Sequence, residues 1–288
     1  MVTLQSVEVS GVKEDFVAEV TGLDLRFGLG PGLLEEIRAA WAAYPVLCFP
    51  DQLLGVDELE AFTRQLGDFG VDPFVAPMDG HPNVLEVRRG AEEKGIVFGG
   101  AWHSDWSFQE SPPSATLLYA KIVPPVGGDT LYADCSRAWR ALPEELKQIA
   151  LDKRAVHSAQ LAYGTSGSLA KDPHPRAMKI LTGDAAHATQ VHPIVRTHPV
   201  TGRSALFVNP VYTVGIERMD DEQGRALLAR FYETLLDAEH LYRHRWRKNM
   251  LLIWDNRCVV HNAEGGYEGH PRLMYRTTVA GEQPAFNR

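Results

Sequence analysis

Met250-Leu251-Leu252-Ile253-Trp254-Asp255-Asn256-Arg257-Cys258-Val259-Val260-His261 reads as two short apolar runs on either side of a polar turn, Asp255-Asn256-Arg257. Short apolar runs bounded by turn residues predict strands. The same texture recurs from residue 95 onward. Leu117 to Lys121 and Asp129 to Tyr132 flank Pro124-Pro125-Val126-Gly127-Gly128, and Leu273 to Ala280 closes the chain. Upstream, Val7 and Val9, then Phe16, Ala18 and Val20, alternate as short strands do, and Val46 to Phe49 is a further run stopped by Pro50. Strands of this length separated by Pro and Gly turns predict a sandwich or a jelly roll.

Helices are predicted between these groups. Pro31 opens one with Leu33, Leu34, Ile37 and Trp41 on one face. Asp57 to Leu66 brings Leu59, Phe62 and Leu66 together and ends at Gly67. Pro143 to Leu151 and Glu222 to Leu236 carry the same periodicity. The prediction is a mainly β protein with flanking helices (α+β). It is one domain over residues 1–288, with a mixed insert at about 140–245.

The composition supports a large core: 288 residues, 44% of them hydrophobic and 23% charged. Twenty-nine basic against 37 acidic residues leave a net charge of −8, which argues against a nucleic-acid surface. Runs such as Met250 to Trp254 are far too short to span a bilayer. Met1-Val2-Thr3-Leu4-Gln5-Ser6 has neither a basic nor an apolar leader region. Cys48, Cys135 and Cys258 fit no zinc spacing and no disulfide framework, so a reducing cytoplasm is expected. A small-molecule substrate is expected, with no nucleic acid and no membrane. The chain has no G-x-S-x-G elbow, no Walker loop and no H-E-x-x-H zinc signature.

Trp102-His103-Ser104-Asp105-Trp106-Ser107-Phe108 carries the candidate chemistry. On a strand, His103 and Asp105 would share a face and grip one metal ion from one side. An imidazole and a carboxylate are two thirds of the facial triad of non-haem iron oxygenases. His261, delivered by the turn and strand after Trp254, is the best candidate for the third ligand. His192 and His198 stand before prolines, His174 lies in a Pro-flanked loop, and His240 and His244 sit in a basic stretch read as solvated. In Arg272-Leu273-Met274-Tyr275-Arg276-Thr277-Thr278, alternation puts Arg272, Met274, Arg276 and Thr278 on one face. Two arginines on the inner face of an apolar strand are costly unless they meet anions.

Taken together, the chain resembles the TauD/TfdA-type Fe(II)/2-oxoglutarate-dependent dioxygenases. The matching segments are Trp102 to Asp105, Pro124 to Thr130, His192 to Pro199, Ala205 to Asn209, Trp254 to Arg257, His261 and Arg272 to Thr277. The resemblance implies a double-stranded β-helix, a distorted jelly roll with helices outside. It implies Fe(II), 2-oxoglutarate as co-substrate and O2. His103, Asp105 and His261 would be the iron ligands. Thr130 and Arg272 would bind the distal carboxylate of 2-oxoglutarate, and Arg276 would lie near the iron and help hold substrate. Trp106 would line the site. Asp105 disfavours a halogenase, which leaves that ligand position open. Relatives are commonly dimers or tetramers, so a homo-oligomer is expected.

Two positions depart from the taurine-oxidising members, which carry a histidine where this chain has Asp72 and an asparagine where it has Gly99. An acidic Asp72 would repel a sulfonate, and Gly99 offers space but no side-chain donor. The expected substrate is therefore not taurine. It is a small anionic or amino-acid-like metabolite, hydroxylated or oxidatively cleaved, with Asp72, Gly99, Trp106 and Arg276 at the substrate. The alternatives from other classes are a catalytically inactive jelly-roll binding module and a zinc-dependent hydrolase using the same three ligands. The Gly- and Ser-rich part of residues 155–190 is a candidate lid.

Overall fold

The computed structural model describes residues 7–287; residues 1–6, read above for a leader, lie outside them. At its centre is a seven-stranded sheet in the order Glu8–Lys13, Val17–Thr21, Val46–Phe49, Leu251–Asp255, Ala115–Ile122, Arg272–Val279, Leu85–Arg89. Neighbours run antiparallel except Val17–Thr21 against Val46–Phe49, which are parallel. The Leu251–Asp255 strand is central, and alternation sends Leu252 and Trp254 to one face and Leu251 and Ile253 to the other. Both faces are covered, which is why no polar residue interrupts the run.

On the outer face, Leu117, Tyr119, Leu251 and Ile253 pack against Ile37 of the Pro31–Ala43 helix and Leu59 and Phe62 of the Val56–Leu66 helix. Phe62 is 1% exposed, and truncating it to alanine is expected to cost about 3–5 kcal/mol. On the inner face, Leu118, Leu252, Trp254 and Met274 pack toward Tyr132 and Val259 of a second sheet, ordered Leu241–His244, Thr130–Asp134, Val259–Ala263. The Cys135–Ala141 and Asp221–Leu235 helices add Ala138, Leu228 and Phe231 to the same core. Two facing sheets with helices outside make the jelly roll that the strand texture predicted. Gly127, at φ +65°, closes the turn before Thr130; a Cβ there would lie 2.4 Å from the Gly266 carbonyl oxygen, so only glycine fits.

Two expectations need correction. Trp102 to Phe108 does not form a strand. His103 makes a single bridge to His261, with each backbone N–H donating to the other's carbonyl at 3.0 and 2.8 Å, and the chain then turns. Trp106 sits at φ +48°, which reverses the chain right after the metal-ligand candidate. His240 and His244 are buried rather than solvated, at 7% and 3% exposure. His244 ends a strand of the second sheet opposite Thr130, and burial, helped by Arg247, pushes its imidazole down to about 4. The mixed segment at 140–245 contributes strands as well as helices. Leu241–His244 belongs to the core sheet, and Arg154–Ser158, Thr189–Pro193 and Thr213–Ile216 form a three-stranded sheet beside the site.

Candidate active site

The His103–His261 bridge places the two imidazoles side by side, with ring centroids 4.2 Å apart. Asp105 reaches between them: its Oδ1 is 3.5 Å from His103 Nε2 and 4.0 Å from His261 Nε2. One ligand atom from each of the three residues lies within 4.8 Å of the others, and all three are buried. A divalent ion about 2.0–2.2 Å from each fits that spacing. Their protonation states suit a metal. Burial would raise the Asp105 carboxyl, but Arg276 and His261 outweigh it and hold the group well below the usual carboxylate range. Burial, then neighbouring His103, pushes His261 down to about 3, so its lone pair is free.

The ligands are oriented from behind. His103 Nδ1 donates to the Ala101 carbonyl at 2.7 Å, which fixes the tautomer and leaves Nε2 facing the site. Thr116 Oγ1 donates to Asp105 Oδ2 at 2.6 Å, leaving Oδ1 toward the histidines. Asn256 Nδ2 donates to Thr116 Oγ1 at 2.9 Å, and Trp254 Nε1 donates to Asn256 Oδ1 at 3.0 Å. Strand register explains the grouping, because Thr116 pairs with Trp254. Trp254 and Asn256 lie in the Trp254 to Arg257 segment of the resemblance, whereas Thr116 carries no motif signal.

Two cavities meet at the triad. The inner one is lined by Thr130, Arg272, Leu118, Trp254, His261 and Gly99, together with His103, Asp105 and Arg276. Arg272 is 5% exposed, its Nε is buried without a hydrogen-bond partner, and no carboxylate lies within 4.0 Å among the described residues. Burial lowers its affinity for its proton, with Tyr267 and Tyr132 as the main opposing influences. Beside it, Thr130 Oγ1 accepts from Trp246 Nε1 at 2.9 Å, so its own proton is free to donate elsewhere. A buried cation without a counter-charge, next to a free hydroxyl donor, fits a carboxylate-bearing ligand. The residues present therefore fit both a metal and a dicarboxylate chelated to it.

The outer cavity is mostly apolar, with Ile96, Val97, Phe98, Leu169 and Val211 at its walls and Trp106, Tyr163, Tyr212 and Arg276 deeper. Burial pushes the Tyr163 and Tyr212 phenols up. Both come from the 140–245 segment, and neither was singled out as a site residue. Gly99, at φ +73°, lines both cavities; a Cβ there would sit 3.5 Å from His103 Cε1. Asp72 does not line either cavity. It lies behind Arg276, with Oδ1 3.3 Å from Nη1 and also accepting from Trp106 Nε1, and Oδ2 3.5 Å from Thr278 Oγ1. Its oxygens are engaged by protein groups rather than by the space a substrate amine would enter. The candidate lid contributes Ala162, Tyr163, Ser168 and Leu169 to the outer wall.

The chain is 33% identical over 272 residues to an alpha-ketoglutarate-dependent sulfate ester dioxygenase of Pseudomonas putida, covering 93% of this chain and 87% of that protein. It is 31% identical to the alpha-ketoglutarate-dependent 2,4-dichlorophenoxyacetate dioxygenase of Cupriavidus pinatubonensis, covering 85% and 88%. Among solved structures, a taurine dioxygenase from Burkholderia xenovorans superposes with a TM-score of 0.81 at 27% identity, covering 97% of this chain and 91% of the other. AAD-2, in complex with Mn(II) and N-oxalylglycine, superposes with a TM-score of 0.77 at 30% identity, covering 97% and 99%. No helix among the described residues is long and apolar enough to cross a membrane. The family described as taurine catabolism dioxygenase TauD, TfdA matches residues 8–278, and this chain belongs to it as an Fe(II)- and 2-oxoglutarate-dependent dioxygenase.

Proposed function

We propose that this enzyme hydroxylates an unactivated C–H bond of a small organic acid with an apolar body, and that taurine is not its substrate. The observation that carries the site assignment is the buried, carboxylate-free Arg272 beside the free hydroxyl proton of Thr130. His103, Asp105 and His261 hold the metal; Arg272 and Thr130 hold the distal carboxylate of 2-oxoglutarate. Bound iron and 2-oxoglutarate together supply the oxidant from O2, with 2-oxoglutarate leaving as succinate and CO2. The balance is substrate C–H, O2 and 2-oxoglutarate giving substrate C–OH, succinate and CO2. Where the hydroxylated carbon bears an ester or ether oxygen, the product falls apart by C–O cleavage.

The residues do the rest by placement, since small shifts decide which C–H bond is reached. Ile96, Val97, Phe98, Leu169 and Val211 accept the apolar body and keep water out. Arg276, which lines the same cavity, meets the anionic end through its guanidinium. Named relatives act on sulfate esters and phenoxy acids, which pair an organic body with one anionic end. Taurine is disfavoured because the wall is apolar and Gly99 supplies no side-chain donor. We further propose a single-domain homo-oligomer, dimer or tetramer, in a reducing cytoplasm; the three buried, unpaired cysteines support the compartment.

The test is succinate release under O2 with a panel of aryl and alkyl carboxylates and sulfate esters, with taurine alongside. Tight coupling of succinate to one of the apolar acids is expected. Efficient sulfite release from taurine contradicts the substrate reading.

A further inference from the structure

Arg276 is the one lysine or arginine on the wall of the outer cavity among the described residues, and its charge is already shared. Its guanidinium lies 5.1 Å from the centroid of the Trp106 ring, with Nη1 3.3 Å from Asp72 Oδ1 and Nη2 3.0 Å from Asp105 Oδ1. Trp106 Nε1 donates to the same Asp72 oxygen. Asp72 thus ties together the stacked pair that forms the floor of the substrate cavity. It does so from behind, without entering the cavity. Neither the Asp72 carboxylate nor the Arg276 guanidinium is well exposed to water, at 10% and 5% of their side chains. Their mutual screening is therefore done by each other rather than by solvent.

We propose that Asp72 is a specificity-determining residue that offsets the charge Arg276 presents and restricts the cavity to substrates with a singly charged end. This rests on the proposed dioxygenase site and deepens it. With Asp105 committed to the metal, the Asp72–Arg276 pair is neutral as a unit. A monoanion still gains a charge-assisted hydrogen bond from the Arg276 guanidinium, which lines the cavity. A dianion brings a second charge that no further cation on the wall offsets, and it approaches the Asp72 carboxylate through Arg276. A neutral amide gains less than the monoanion, because it cannot make the charge-assisted bond. The chemical class is an apolar body ending in a carboxylate or a sulfate monoester; phosphate and phosphonate dianions are excluded by charge.

The test uses three probes with one phenylethyl body: 3-phenylpropanamide, 3-phenylpropanoate and 2-phenylethylphosphonate at pH 8.5, where the last is a dianion. Dissociation constants come from the perturbation each causes in the visible band of the anaerobic Fe(II)–2-oxoglutarate complex. In the native enzyme the carboxylate is expected to bind about tenfold tighter than either of the others. Asp72→Asn keeps an acceptor for Trp106 and removes the charge. It is expected to tighten the phosphonate about tenfold relative to the carboxylate. Asp72→Ala, which releases Arg276 and Trp106 as well, is expected to weaken all three. An unchanged phosphonate-to-carboxylate ratio in Asp72→Asn, with the band intact, overturns the proposal and leaves the dioxygenase site standing. Absence of the band in the native enzyme overturns both.

Discussion

Thr116 Oγ1 donates to Asp105 Oδ2 at 2.6 Å, so the one carboxylate of the candidate metal triad is held by a neighbouring strand rather than by its own turn. Ser104 to Trp106 lies in an irregular turn that cannot orient a side chain through sheet pairing. Thr116 lies in the Ala115–Ile122 strand of the central sheet and supplies the rigidity instead.

Thr116→Val is therefore expected to weaken metal binding by roughly 10–100-fold, while Thr116→Ser restores most of it. Anaerobic Fe(II) titration checks this directly. Equal affinity in the valine variant would show that the turn alone positions Asp105.

Arg272 carries an unpaired buried charge in the ligand-free enzyme. Arg272→Met keeps much of the volume and removes that charge. The apo-protein is expected to be as stable or more so, by up to about 1–4 kcal/mol. Stabilisation by added 2-oxoglutarate and Mn(II) is expected to fall sharply, since the linkage depends on affinity. Thermal melts with and without the ligand pair measure both effects.

His157 is fully buried against Ser107 and His192, and burial pushes it down to about 3, with His192 adding to the effect. Its native pKa lies below the unfolded value near 6.5. As pH falls below that value, the unfolded chain takes up a proton that the native state refuses. Stability is thus lost by about 1.4 kcal/mol per pH unit from this one group, down toward its native pKa. His157→Gln removes that contribution. Urea unfolding is expected to show the variant less stable at pH 7, with its deficit shrinking as pH is lowered to 5.

Asp255 is 2% exposed and is held by Arg257, through Nε at 2.8 Å and Nη2 at 2.7 Å, and by His198 Nε2 at 2.9 Å. Burial would raise its carboxyl, but Arg257 and His198 keep it low. Arg257→Met strands that carboxylate and is expected to cost about 3–5 kcal/mol. The variant that remains folded should bind 2-oxoglutarate normally, since Arg257 lies at the turn and away from both cavities. Denaturant melts and ligand titration separate the two.

How far the residues could be read in advance varied with the kind of signal. The alternation that sends Arg272, Met274 and Arg276 inward is local and period-two, and the strand obeys it. The continuous run at Leu251–Asp255 marks a strand covered on both faces. His103 and Asp105 were legible as residue types, but the strand predicted for them was not formed, because Trp106 takes a left-handed conformation that spacing does not reveal. Tyr163 falls within the candidate lid, whereas Tyr212, just before the Thr213–Ile216 strand, carries no local signal. Thr116 and Asn256 act through a register between distant strands. His244 was misread because its neighbours Arg243, Arg245 and Arg247 suggest solvent, whereas strand alternation turns its ring inward.

The central claim is that His103, Asp105 and His261 bind iron and that Arg272 and Thr130 bind 2-oxoglutarate beside it. The most direct measurement is an anaerobic titration of the apo-enzyme with Fe(II) and then 2-oxoglutarate, following the visible charge-transfer band of a chelated keto acid. The account predicts the band in the native enzyme, its loss in His261→Ala, and a large rise in the 2-oxoglutarate concentration needed for it in Arg272→Met. A folded, iron-loaded native enzyme that develops no band, or an Arg272→Met titration identical to the native one, would contradict it.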